Sequence, residues 1–235
     1  MRVFLIFESV KLVSQESFVE MQRMSEGQVE LRREPRQERS KERFERMLDA
    51  AAALILERGS ATLKMSEVAE RAEVPIGSLY QYFPNKRAIL AQLTERYLRM
   101  FQQEIADALK GIESLEDLRA RLDRLIWDVY RQAREEPVFR DIWSGAEADP
   151  VLEEINMKDS RINGDAIYHT FLACGGDQTN PNKRNECFLI CHLAGTAVRI
   201  AMSREEAEGD QLARIFIDMA LDRLFREPMA GSTRN

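Results

Sequence analysis

Ser66-Glu67-Val68-Ala69-Glu70-Arg71-Ala72-Glu73-Val74-Pro75-Ile76-Gly77-Ser78-Leu79-Tyr80-Gln81-Tyr82-Phe83-Pro84-Asn85-Lys86 is the stretch on which the fold turns. Met65, Val68 and Ala69 give a short helix, about 65–72, one inward face. Glu73-Val74-Pro75 makes a turn. A second short helix, about 76–83, has Leu79 and Phe83 four apart and facing inward, and Pro84 stops it. Two short helices joined by a tight turn, with longer helices on either side, form a helix-turn-helix. In that motif the second helix enters the major groove and must show small or polar groups to it. Ile76, Gly77, Ser78, Tyr80, Gln81 and Tyr82 are left for that role. Gly77 and Ser78 allow close approach, Tyr80 and Tyr82 offer hydroxyls to phosphate, and the Gln81 amide can pair with adenine. Ile76 either touches a thymine methyl or packs inward, and the tyrosines have inter-helix packing as their alternative. Lys64 and Lys86 meet phosphate or are simply solvated charges.

Outward from the motif the chain reads as helix. Before it, Phe44, Met47, Leu48, Ala51, Leu54 and Ile55 step by three and four, with Ser40 as cap and Gly59 as stop. After it, Asn85 caps a long helix carrying Ile89, Leu90, Leu93, Tyr97, Leu98, Phe101, Ile105 and Leu109, ended by Gly111. Further helices are predicted at about 115–134, 138–143, 150–173, 183–202 and 210–225. Gly175-Gly176-Asp177-Gln178-Thr179-Asn180-Pro181 is the clearest loop. There is no alternating strand pattern and no repeat, so the class is all-α.

This chain's motif closely resembles the DNA-binding signature of the TetR family of bacterial repressors, above all in Gly77-Ser78-Leu79-Tyr80-x-Tyr82-Phe83-x-x-Lys86. The resemblance covers about 40–101. It implies a three-helix DNA-binding head, a long linking helix, and a helical C-terminal domain that dimerises and binds an inducer. It adds Ser66, at the start of the first motif helix, to the DNA-facing set. Two positions depart from the pattern. Glu73 stands where glycine is usual, at a turn favouring positive φ. Leu63 and Lys64 replace threonines, which removes a hydroxyl contact to phosphate.

The expected organisation is a flexible extension (1–39), the head (40–101), a ligand-binding and dimerisation domain (102–228) and a frayed tail (229–235). Residues 1–23 connect poorly to the rest of the chain, and Met24 is an alternative biological start. Within the C-terminal domain, Trp127, Tyr130, Phe139, Trp143, Tyr168, His169 and Phe171 are either pocket-lining residues or ordinary core. The homodimer would form through helices 183–202 and 210–225, where Ala194, Gly195 and Ala197 permit close packing across a two-fold axis.

Composition narrows the rest. The net charge is −6, with a mildly basic stretch over 32–101 and an acidic remainder. Three cysteines with no secretory signal fit the cytoplasm. No run approaches the roughly 18 apolar residues needed to span a bilayer, so no membrane is expected as partner. With only His169 and His192, and no phosphate-cradling loop, an enzyme is disfavoured and no cofactor or metal is expected. Cys187 and Cys191, one turn apart beside His192, leave open a thiol- or metal-sensing module; an all-helical interaction module with weakened DNA binding is the other alternative. The favoured function is a repressor of a near-palindromic double-stranded operator, released by an unidentified small-molecule inducer.

Overall fold

A computed structural model describes residues 38–146 and 149–226. The expectations for the N-terminal extension and the tail lie almost wholly outside these residues. The helices are α1 (Glu38–Arg58), α2 (Met65–Arg71), α3 (Ile76–Tyr82), α4 (Lys86–Ala108), α5 (Leu115–Glu135), α6 (Pro137–Ala146), α7 (Pro150–Ala173), α8 (Lys183–Met202) and α9 (Glu206–Leu224). A 3₁₀ turn at Ser60–Thr62 follows α1. Among the described residues there is no strand. No helix there is long and apolar enough to cross a membrane.

The chain forms two compact units. Unit 1 comprises the residues up to Arg99 together with Pro137–Ile155; unit 2 is 100–136 and 156 onward. Placing α6 with the head differs from the expected division. Val138 and Ile142 join the head's core, and Phe139 packs its ring 5.2 Å from that of Tyr97. Periodicity marks α6 as amphipathic but not which core receives it.

In unit 1 every predicted inward residue of α1, from Phe44 to Ile55, is buried. Gly59, at φ +81°, ends the helix where a side chain would be strained. The Ser60 N–H then donates to Asp141 Oδ2 at 2.7 Å, tying the end of α1 to α6. Asn85 caps α4 as expected, its Oδ1 accepting from Ala88 N–H at 3.0 Å. Ser40 does not cap α1. It lies inside the helix, and its Oγ is 2.7 Å from the Tyr82 hydroxyl.

Unit 2 is built on α5, α8 and α9. Ser114 caps α5, accepting from Asp117 N–H at 3.1 Å. Leu118, Leu122, Ile167, Phe171, Cys187, Ile217, Leu221 and Leu224 form its core. The N-terminus of α8 meets the C-terminus of α9 through buried Lys183, whose ammonium donates to Leu224 O at 2.8 Å and sits 2.9 Å from Glu186 Oε2. At the opposite ends, Arg134 donates to the carbonyl oxygens of Ala201 and Arg204, closing the last turn of α8. Cations at helix C-termini meet the carbonyls that lack helical partners.

Candidate nucleic-acid interface

The turn between α2 and α3 closes by backbone bonds. Val74 N–H reaches Ala69 O at 3.0 Å and Glu73 N–H reaches Glu70 O at 3.1 Å. This requires a left-handed residue after the helix, and Glu73 takes φ +54°. Pro75 then starts α3, accepting from Ser78 N–H at 2.8 Å.

Leu79, Tyr82 and Phe83 hold α3 to the head. All three are buried, and the ring of Phe44 stacks on Phe83 at 5.0 Å and meets Tyr82 edge-on at 6.0 Å. The expectation for Tyr82 is therefore corrected. It is only 4% exposed and its hydroxyl is engaged by Ser40, so it anchors the helix instead of facing a groove. Residues 79, 82 and 83 are spaced i, i+3, i+4, which is one helical face; that spacing in the sequence carried the signal.

The opposite face is largely open among the described residues. Ile76 and Tyr80 are 43% and 41% exposed, Gly77 and Gln81 are exposed, and Ser78 is half-buried. A Cβ built on Gly77 would meet no atom within 4 Å. The packing of the described residues does not itself require glycine there. Ser66 is exposed on α2. Lys64 precedes α2 with its ammonium exposed and 3.6 Å from Glu67. Lys86 is placed differently from expectation: its Nζ donates to Ala61 O at 2.9 Å and Ser60 O at 3.3 Å. Its charge is directed at the 3₁₀ turn, pinning α4 to the end of α1.

The aromatic candidates of the C-terminal half do not converge. Phe139 and Trp143 belong to unit 1, with rings 4.5 Å apart, and are core there. In unit 2, Tyr130 is fully buried and donates to Asp210 Oδ1 at 2.8 Å. Burial first, then that carboxylate, push its phenol above the ordinary range. Phe171 is core against Phe225. Trp127 lies under the Arg214 guanidinium, 4.8 Å from its ring centre, in an open groove of about 540 Å³ with Arg119 and Asp123. Tyr168 is half-buried and His169 is exposed. Burial pushes the Cys187 thiol up to about 12 and raises Cys191 as well, so neither is held as a ready thiolate. Sequence reasoning missed a polar cluster around Asp159, where Gln102 and Asn163 donate to one carboxylate.

A helix-turn-helix whose second helix buries one face and offers small and polar groups on the other, followed by an all-helical unit, defines a DNA-binding regulator. Residues 47–93 match the family described as bacterial regulatory proteins, tetR family, and residues 116–227 match the tetracyclin repressor-like C-terminal domain. The chain belongs to the TetR family. It is 28% identical over 135 residues to the transcriptional repressor KstR of Mycobacterium tuberculosis, covering 53% of this chain and 60% of KstR. The match to KstR of Rhodococcus jostii is 46% identical but covers 24% of this chain and 26% of that protein. The chain thus spans less than two thirds of the length of these relatives. Among solved structures, SmeT, repressor of a Stenotrophomonas maltophilia multidrug efflux pump, superposes with TM-score 0.59 at 20% identity, covering 76% of this chain and 88% of SmeT. Thermus thermophilus FadR, solved with lauroyl-CoA, gives TM-score 0.57 at 20% identity, covering 80% and 98%. At these identities the likeness is one of fold.

Proposed function

We propose that the chain is a homodimeric, cytoplasmic repressor that lays two α3 helices into successive major grooves of a near-palindromic operator and leaves it when a small molecule binds unit 2. The observation that carries this is the open ridge of Gly77, Ser78, Tyr80 and Gln81 on a helix anchored from behind by Leu79, Tyr82 and Phe83. Gln81 reads a base, Tyr80 and Ser78 meet phosphate, Ile76 contacts a thymine methyl, and Lys64 and Ser66 flank the backbone. Two-fold pairing is supported by apolar surface left exposed among the described residues. Leu189, Leu193 and Ile200 are 52%, 43% and 48% exposed on α8, and Ile215 and Met219 are 56% and 67% exposed on α9. Their spacing forms a stripe on each helix, on the faces turned away from the unit's core. FadR with lauroyl-CoA and SmeT with triclosan are relatives by fold that carry small molecules, which supports an inducer site in this chain too.

The test is selection of bound fragments from the source genome, followed by gel retardation over a range of salt. A recurrent inverted repeat is expected, with binding that weakens steeply as salt rises. Gln81→Ala should cost about 1–3 kcal/mol and relax preference at a single base position. Fragments without a shared sequence, or an equal loss for Gln81→Ala across all operator variants, would refute the assignment.

A further inference from the structure

Arg39, Arg43 and Arg46 of α1 are all exposed. At 3.6 residues per turn they fall within about 60° of arc, a strip along one flank of the first half of the helix. Among the described residues no carboxylate pairs with any of the three. The other arginines of α1 to α4 differ: Arg58, Arg71, Arg87, Arg96 and Arg99 each have a carboxylate at 2.5–3.7 Å. The acidic residues of α1 are set apart from the strip. Glu45 and Asp49 lie on the flank that meets α4, where Arg96 reaches them at 3.6 and 2.7 Å. Glu42 falls between the two flanks. Glu57, in line with the arginines by the same periodicity, takes Arg71 of α2 at 2.6 Å. The strip therefore runs along the side of α1 that the helix-turn-helix occupies. Its first turn also holds Ser40, whose Oγ is 2.7 Å from the hydroxyl of Tyr82, at the C-terminal end of α3. Neither local effect favours this arrangement in the chain by itself. Like charges three and four apart on a helix repel, and cations in the first turns oppose the positive end of the helix dipole.

We propose that Arg39, Arg43 and Arg46 bind the phosphate backbone of duplex DNA beside the groove that α3 enters, a second line of contact that holds the head in register without reading bases. This rests on the reading of α3 as the groove-entering helix. A guanidinium stays charged at every working pH and forks onto two phosphate oxygens. From Arg39 to Arg46 the helix rises about 10.5 Å, comparable with the axial length over which one strand presents about three phosphates. Lys64 is tied to the other end of α1, because Glu67 lies 3.6 Å from it and 3.5 Å from Arg58. The strip thus adds backbone contacts at the end of the head that Lys64 does not serve.

The test uses the full chain with Arg39, Arg43 and Arg46 all changed to Gln, and again all changed to Lys. A control removes the same charge from exposed positions of unit 2, through Lys110→Gln, Arg124→Gln and Arg226→Gln together. Fluorescence anisotropy follows binding to the selected operator and to an unrelated duplex of equal length, between about 50 and 200 mM salt. Each phosphate contact adds about 0.9 to the slope of log affinity against log salt, so the Gln triple should flatten that slope by about 2–3 per bound chain and weaken operator binding at least about tenfold at the low-salt end. The unrelated duplex should lose affinity by the same factor, because phosphate contacts carry no sequence information. The Lys triple keeps the charge and should recover most of the slope. If the Gln triple does not fold, Arg43→Gln alone is read in its place, with a slope change of about 0.9. An unchanged slope, a loss no larger than the control's, a loss confined to the operator, or a Lys triple as weak as the Gln triple overturns the proposal. Intact binding by the unsubstituted chain with an insensitive Gln triple sinks the strip alone. Salt-sensitive binding of the unsubstituted chain that Gln81→Ala leaves untouched sinks the reading of α3 on which it rests.

Discussion

Glu73 sits at φ +54°, a conformation that places its Cβ against the following carbonyl and costs an L-residue about 1–2 kcal/mol. Glycine would relieve that strain but would also loosen the unfolded chain. Glu73→Gly should therefore stabilise the head by about 0.5–1 kcal/mol in urea unfolding, the net of those two effects. Gly77 presents the reverse case. It is helical, with open space over it, so Gly77→Ala should gain about 0.5–1 kcal/mol of stability. The same methyl would stand between α3 and the groove and weaken operator binding in retardation assays. A variant that gains stability and keeps full affinity would remove Gly77 from the interface. Tyr82→Phe deletes the bond to Ser40 and should cost about 0.5–1.5 kcal/mol of stability without altering base preference. Tyr80→Phe should do the opposite, sparing stability and weakening binding.

At the level of elements, the long helices of unit 2 are held by close approaches that only glycine permits. A Cβ on Gly164 of α7 would lie 2.6 Å from the Phe188 Cα of α8, and one on Gly209 of α9 would lie 2.6 Å from Ala201 O. In both cases the obstacle is backbone, which cannot swing aside as a side chain can. Gly164→Ala and Gly209→Ala should each cost about 1–3 kcal/mol, read as a lower melting temperature. In the head, Gly77 of α3 is more tolerant, because its surroundings are open. Element bounds were largely legible in the sequence. Gly59, Gly111 and Gly175, all at positive φ, and the cap Asn85 are local signals for where helices start and stop. The assignment of α6 to unit 1 was not legible, because an amphipathic stripe states that a face is buried but not against what.

For the molecule as a whole, pairing of chains and response to pH are the testable properties. Replacing Leu189 and Met219 together by Asp puts charge into the uncovered apolar stripe, and sedimentation should then show a monomer with lost operator affinity. A dimer that persists would place the interface elsewhere. The pH dependence arises from Asp159. Its folded pKa of about 7 lies above the unfolded value near 3.9, so between those values the native state holds a proton that the unfolded chain releases. Stability should therefore fall as pH rises from about 4 to 7, by up to about 4 kcal/mol, and level off above. Asp159→Asn should flatten this slope, as monitored by denaturant unfolding at several pH values. The Glu186 carboxyl works in the other direction. Burial raises it, but Lys183 and Arg223 outweigh burial and hold it below the ordinary range, so its contribution is lost in acid.

The amino-acid order alone determined the all-helical class, the helix-turn-helix and the outward-facing set of Gly77, Ser78, Tyr80 and Gln81. These depend on spacings of three, four and seven residues within single helices and on turn chemistry read from adjacent positions. What faces what across the chain was decided only on folding. Tyr82 turned inward to Ser40, Lys86 to the 3₁₀ turn, Phe139 and Trp143 to the head, and Asp159 to Gln102 and Asn163. Most of these contacts join residues dozens of positions apart, where no local periodicity reports the neighbour and only the packing of one helix against another selects it.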